Sequence, residues 1–152
     1  MHRLVYDTIN HSPYVIDTPP PLVDQIAAAA KAGFQGIGLD VWSIDHHRSR
    51  GGSLAELTDA IERHALPCLE LQAFVYTNDA KETEAAAENI AKLAAVLRPE
   101  IIMGGTHCPV DDDLVANLAR FAPRVTESGA RLAIEFLPTM PTNTIAKTCE
   151  LI

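Results

Sequence analysis

The sequence predicts an α/β protein in which parallel strands alternate with helices, and three observations predict it. Short apolar runs begin at Leu4, Gly36, Leu69, Glu100 and Leu132, spaced about 32 residues apart, the length of one strand-plus-helix unit. These runs are nearly free of polar residues, as strands covered on both faces of a parallel sheet are. The stretches between them carry good helix formers with start and stop signals.

In chain order, the strands are expected over Leu4–Ile9, Gly36–Val41, Leu69–Val75, Glu100–Met103 and Leu132–Leu137. The first helix, Pro20 to Ala32, has proline at its entry and Gly33 at its exit. The second opens with "SLAE", where Ser53 and Glu56 form a capping-box pattern, and runs to Ala65. The third spans Asp79 to Leu97 and is rich in alanine, leucine, glutamate and lysine. The fourth starts at Asp111–Asp113 and closes near Gly129, with a kink expected at Pro123. A fifth begins around Asn143.

Two architectures satisfy this alternation: an open doubly wound sheet, or part of a (β/α)8 barrel. "TINHSPY" stands after the first strand, where a dinucleotide-binding protein would carry a glycine-rich loop. A nucleotide-binding fold of that type is disfavoured. By length alone, 152 residues suit a five-stranded open sheet.

Composition narrows the partners. Net charge is −8, from 20 acidic and 12 basic residues, so no basic surface displaces phosphate counterions and nucleic acid is excluded as an expected partner. A local basic spot for a small anion is still compatible with that balance. No apolar run approaches a membrane span and no cationic-then-apolar leader opens the chain, so a cytoplasmic protein with no membrane partner is expected. Cys68, Cys108 and Cys149 are widely spaced, with no CxxC pair, which argues against a disulfide framework or structural zinc site.

"AAKAGFQGIGLD" (Ala29 to Asp40) and "LAIEFLP" (Leu132 to Pro138) resemble the xylose isomerase-like TIM barrel superfamily, the group of sugar phosphate isomerases and epimerases. Members commonly carry an Ala-Gly-Phe-x-Gly-Ile turn into strand two and a glutamate at the end of strand five. The resemblance covers the whole chain and departs at Gly38, where many relatives have glutamate. It implies a partial (β/α)8 barrel of about five units, a single domain over residues 1–152 that lacks its C-terminal strands. It also implies a divalent metal, Mn2+ or Mg2+ before Zn2+, at the C-terminal ends of the strands. The ligands it implies are a strand-five glutamate, carboxylate and histidine groups on strands six and seven, and a strand-eight glutamate. Only the first has a counterpart, Glu135; the others would lie beyond Ile152.

Glu135 is thus the expected metal ligand and catalytic residue. A carboxylate ending an apolar strand needs a metal, a counter-charge or hydrogen bonds, and an ion pair with Arg131 or Arg124 is the structural alternative. His107, in "GGTHCP", is a substrate-binding candidate; the superfamily's DNA-repair endonucleases use histidines near this place. A loop histidine held by backbone is the plain alternative, and Cys108 reads as packing. "VWSIDHHRSRGG" (Val41 to Gly52) reads as the longest polar loop on the catalytic face. There Trp42 is expected to wall a sugar pocket and His46 to reach a substrate oxygen, while Arg48 or Arg50 would meet a phosphate or simply stay solvated. His11 is a weaker candidate of the same kind. Glu70 is expected either in an internal polar network or in catalysis. Asp111–Asp113 read as a helix start, and Glu100 and His64 carry no expected function.

The resemblance implies a sugar or sugar phosphate isomerase or epimerase in which metal-assisted proton transfer occurs next to a carbonyl. A dehydratase of the same family is the alternative within that chemistry. With three of four implied ligands lacking counterparts, the isolated chain is also read as an inactive fragment or assembly module. Five strands of a closed barrel leave two open edges, so three outcomes are open: a fragment of a longer protein, a homodimer whose copies cover each other's edges, or a sheet rearranged into an open form; a sugar or polyol is the expected small molecule.

Overall fold

The computed structural model of the chain describes residues 3–151. Its five strands are β1 (Val5–Asp7), β2 (Gly36–Asp40), β3 (Cys68–Val75), β4 (Ile101–Gly105) and β5 (Arg131–Ile134). They form one parallel sheet in the order β1-β2-β3-β4-β5, so each strand lies beside its neighbour in sequence. Helices alternate with them: α1 (Leu22–Lys31), α2 (Val41–Ser49), α3 (Leu54–Arg63), α4 (Ala80–Leu97), α5 (Asp112–Val125) and α6 (Ile145–Cys149). No helix among the described residues is long and apolar enough to cross a membrane.

The expected elements are all present, with the start of β2 and the end of β3 as expected and the other strand ends displaced by one to three residues. The Ser53–Glu56 capping box forms in both directions at the start of α3. Asp111 caps α5, its Oδ1 accepting the Leu114 N–H at 2.9 Å, which settles the acidic run as a helix start. Gly33 and Gly129, at φ +89° and +88°, follow the ends of α1 and α5 in the left-handed region that glycine adopts freely. α5 continues through Pro123 and ends two residues later, so the missing N–H falls in the last turn.

Val41–Gly52 is not a loop. Its first nine residues form α2, because Asp40, the last residue of β2, serves as the N-cap and accepts the Ser43 N–H at 2.8 Å. Asp40 is itself fully buried and accepts a 2.6 Å hydrogen bond from the Thr8 hydroxyl. The cap is an ordinary local one, aspartate to the N–H three residues on, but it sits at the end of an apolar strand, where it reads as part of the strand.

The chain divides into two compact units. The first comprises residues up to Gln72 with Val96–Glu100, the second Ala73–Ala95 with Ile101 onward. In the first, Ile26, Ile37, Leu39, Ile44, Leu57 and Leu71 are wholly buried. Removing each such side chain from water stabilises by about 1.5–3 kcal/mol. β2 is buried along its whole length, which is why it reads as an uninterrupted apolar and glycine run. Arg3 pairs with Glu100 within this unit, so Glu100 has the structural role expected of it. In the second, Phe74, Tyr76, Ala94, Ile102, Leu114 and Val125 form the fully buried centre. There the Asn117 amide donates to the carbonyls of Thr77 and Asn78, both at 3.0 Å, tying the loop after β3 to α5.

Candidate functional site

In parallel βα units the segments after the strands gather on the face where such folds place their chemistry. Glu135 directly follows β5. Its N–H still bonds to the Gly104 carbonyl at 2.8 Å and its own carbonyl accepts the Thr142 hydroxyl at 3.3 Å. The backbone is therefore pinned on both sides, while the half-buried carboxylate has no hydrogen-bond or ion-pair partner among the described residues. The ion-pair alternative is not realised: Arg124 meets Glu127 at 2.5 Å, and Arg131 is exposed.

Glu135 faces bare backbone. A Cβ on Gly105 would lie 3.8 Å from Glu135 Oε2 and 3.4 Å from Met140 Cε. The glycine at the end of β4 thus leaves room for about one methyl group beside the carboxylate, bordered by a thioether. Neither Gly105 nor Met140 was legible as a site residue: strand register sets Gly105 beside Glu135, and the turn after β5, closed by Met140 N–H to the Leu137 carbonyl, brings Met140 back. His107 lies two residues beyond Gly105, exposed, at the end of the strand next to β5. The Thr106 hydroxyl accepts the Cys108 N–H at 3.1 Å and fixes that turn.

Trp42 and His46 come together on α2. The Trp42 ring stacks on Tyr14, with centroids 4.7 Å apart and planes 22° from parallel, and both line a shallow hollow with His46. Arg48 meets Asp45 at 3.7 Å, whereas Arg50 makes no ion pair among the described residues. His11 is held by the Tyr6 hydroxyl at 2.9 Å.

A second set of carboxylates lies across the first three strands. Asp7, Gly38 and Glu70 are register partners on β1, β2 and β3. The Asp7 carboxylate occupies the space a side chain at position 38 would fill, and Glu70 Cβ lies 3.5 Å from that point on the other side. Asp7 Oδ1 is buried without a hydrogen-bond partner, and burial holds its carboxyl above the usual carboxylate range. Glu70 accepts the Gln72 amide at 2.5 Å and belongs to an internal polar network, one of the two roles expected for it. Asp7 was missed because a three-residue edge strand gives no periodicity from which to read its facing.

Among the described residues, no group of three or more His, Cys, Asp or Glu side chains is placed to hold a metal ion. Glu135 supplies one oxygen donor group. Divalent ions need several.

No family model matches the chain, and no curated protein matches it either. Solved structures do. The IOLI protein, with a zinc atom bound, aligns with 99% of this chain at a TM-score of 0.79 and 17% identity. AsbF from Bacillus anthracis, a probable 3-DHS dehydratase involved in petrobactin synthesis, aligns with 99% at 0.76 and 17%. A xylose isomerase domain containing protein from Salmonella typhimurium LT2 aligns with 99% at 0.79 and 11%. This chain spans 58%, 58% and 56% of those three, and 24% of a xylose isomerase-like TIM barrel/4-hydroxyphenylpyruvate dioxygenase fusion protein. The fold of the chain is that of part of a xylose isomerase-like TIM barrel, five βα units in one parallel sheet.

Proposed function

We propose that the chain carries part of the active site of a sugar or polyol isomerase or epimerase, and that Glu135 moves a proton at a carbon next to a carbonyl. The observation that carries this reading is the unpaired Glu135 carboxylate, half-buried at a strand end beside the open backbone of Gly105. The likeness to xylose isomerase-like barrels supports the class. Glu135 takes the proton from the carbon bearing the hydroxyl, leaving an ene-diolate. Returned to the neighbouring carbon, the proton gives the isomer; a proton delivered to the opposite face of the same carbon gives the epimer. His107, on the same compact unit as Glu135, donates to a substrate hydroxyl.

A divalent ion, Mn2+ or Mg2+ by the oxygen chemistry of Glu135 or Zn2+ by likeness to the IOLI protein, would polarise the carbonyl in such a reaction. The described residues do not fit one by themselves, so its remaining donors have to come from outside them. A dehydratase is the second reading, favoured by the likeness to AsbF. There the same abstraction is followed by loss of hydroxide, which leaves an unsaturated, ultraviolet-absorbing product.

Proton exchange into a panel of aldoses, ketoses and their phosphates in D2O, followed by NMR with added Mn2+, tests the reading. Exchange that falls about 100-fold or more in Glu135→Gln supports it; exchange that persists in the variant overturns it. No exchange by the unaltered chain favours the non-catalytic reading, an assembly module. Two copies joined across the free edges of β1 and β5 are part of the same reading. A mass of twice 16.5 kDa by light scattering supports that pairing, and 16.5 kDa removes it.

A further inference from the structure

Between the start of α1, the end of α2 and α3, the first unit holds a half-open pocket of about 650 Å³, with Asp17, Arg50, Asp59 and Arg63 on its exposed rim. That volume is in the range of small-molecule sites. One rim is stiffened by Pro19, Pro20 and Pro21. Ser43 lines the cavity and is 4% exposed. Its N–H is satisfied by Asp40, but its Oγ is buried with no hydrogen-bond partner. An unpaired buried hydroxyl costs about 1–3 kcal/mol. A ligand atom would remove that deficit.

The charged groups on the same wall sort into used and unused. Glu56 is occupied, accepting the Ser53 N–H at 2.9 Å and lying 3.3 Å from His47 Nε2. Arg50, Arg63, Asp17 and Asp59 line the cavity, and among the described residues none of the four forms an ion pair. Arg48, two residues from Arg50, does not line it and is paired with Asp45. The unused set is therefore two guanidinium groups, two carboxylates and one hydroxyl. Guanidinium groups favour phosphate through paired N–H donors, whereas carboxylates and a serine hydroxyl favour ligand hydroxyls.

We infer that this cavity is a binding site for a small hydroxylated anion, a phosphorylated sugar or polyol. Arg50 and Arg63 take the phosphate, and Ser43 with Asp17 and Asp59 takes hydroxyls. The site goes beyond the proposed chemistry at Glu135 and uses neither Glu135 nor His107.

Calorimetric titration of the 152-residue chain at low ionic strength tests it. The probes are glucose 6-phosphate, ribose 5-phosphate and glycerol 3-phosphate, with glucose and inorganic phosphate as the two halves. At least one phosphorylated probe binds more tightly than either half. Arg50→Gln and Ser43→Ala each weaken it by about tenfold, and Arg48→Gln leaves it unchanged. Ser43→Ala also leaves thermal stability unchanged or higher, because the free protein loses an unsatisfied group. Glu135→Gln binds as the parent chain does, which separates this site from the proposed catalytic one. No binding by any phosphorylated probe overturns the inference. So does binding no tighter than inorganic phosphate, or equal binding by the Arg50 and Ser43 variants.

Discussion

Asp7 lays its carboxylate over Gly38. The two are register partners on β1 and β2, and the buried, unpartnered Oδ1 of Asp7 occupies the place where a side chain at position 38 would begin. Glycine at 38 and aspartate at 7 are therefore one structural choice. The resemblance drawn from sequence treated Gly38 as a departure from relatives that carry glutamate there. The structure places a carboxylate beside that position from the neighbouring strand.

Gly38→Ala should destabilise the chain by about 1–3 kcal/mol, the usual range for overpacking. Made together with Asp7→Ala, most of that loss should disappear, because the obstructing carboxyl is gone. Urea unfolding of the single and double variants measures the coupling. Equal losses in both backgrounds would show that Asp7 is not what Gly38 accommodates.

Asp7→Asn should raise the melting temperature at pH 7 and leave it nearly unchanged at pH 3. Burial raises the folded carboxyl above its ordinary 3.8, so its contribution is fully present below that pH. It is lost as pH rises through the folded value, and at neutral pH the parent chain carries a partly desolvated charge. Asparagine cannot ionise. Melting curves of both proteins at the two pH values test this, and an identical difference at each would exclude ionisation as the cause.

Ala65 and Arg98 turn through the left-handed region at φ 48° and 52°, just past α3 and α4. Glycine is free of the Cβ strain there but loses more chain entropy on folding. Ala65→Gly and Arg98→Gly should each stabilise by about 0.5–1 kcal/mol. Chemical denaturation of each variant measures it, and a loss of stability would mean that side-chain packing outweighs the strain.

Glu135→Gln should change stability by less than about 0.5 kcal/mol, since no ion pair or side-chain hydrogen bond is removed. The same variant is the one expected to abolish proton exchange. A marked drop in melting temperature would move Glu135 from the functional to the structural side.

The alternation, the five strands and the helix boundaries that rest on local signals are all legible in the amino-acid order. Ser53 with Glu56, Asp111, Gly33 and Gly129 all act within about one helical turn of their own position. So does the placement of Glu135 at a strand end, since the apolar run and Pro138 bracket it within a few residues. The tertiary structure decided what depends on register between distant segments. Asp40 caps α2 through the Ser43 N–H three residues on, and Thr8 from the preceding unit supplies the second hydrogen bond to that buried carboxylate. Asp7 reaches Gly38, and Gly105 lies beside Glu135, only because neighbouring strands pair as they do. Arg50, just past the end of α2, lines the pocket, whereas Arg48 within α2 lies beside Asp45. Local sequence encodes propensity and caps, and register brings together side chains about 30 residues apart, which no short window of sequence can display.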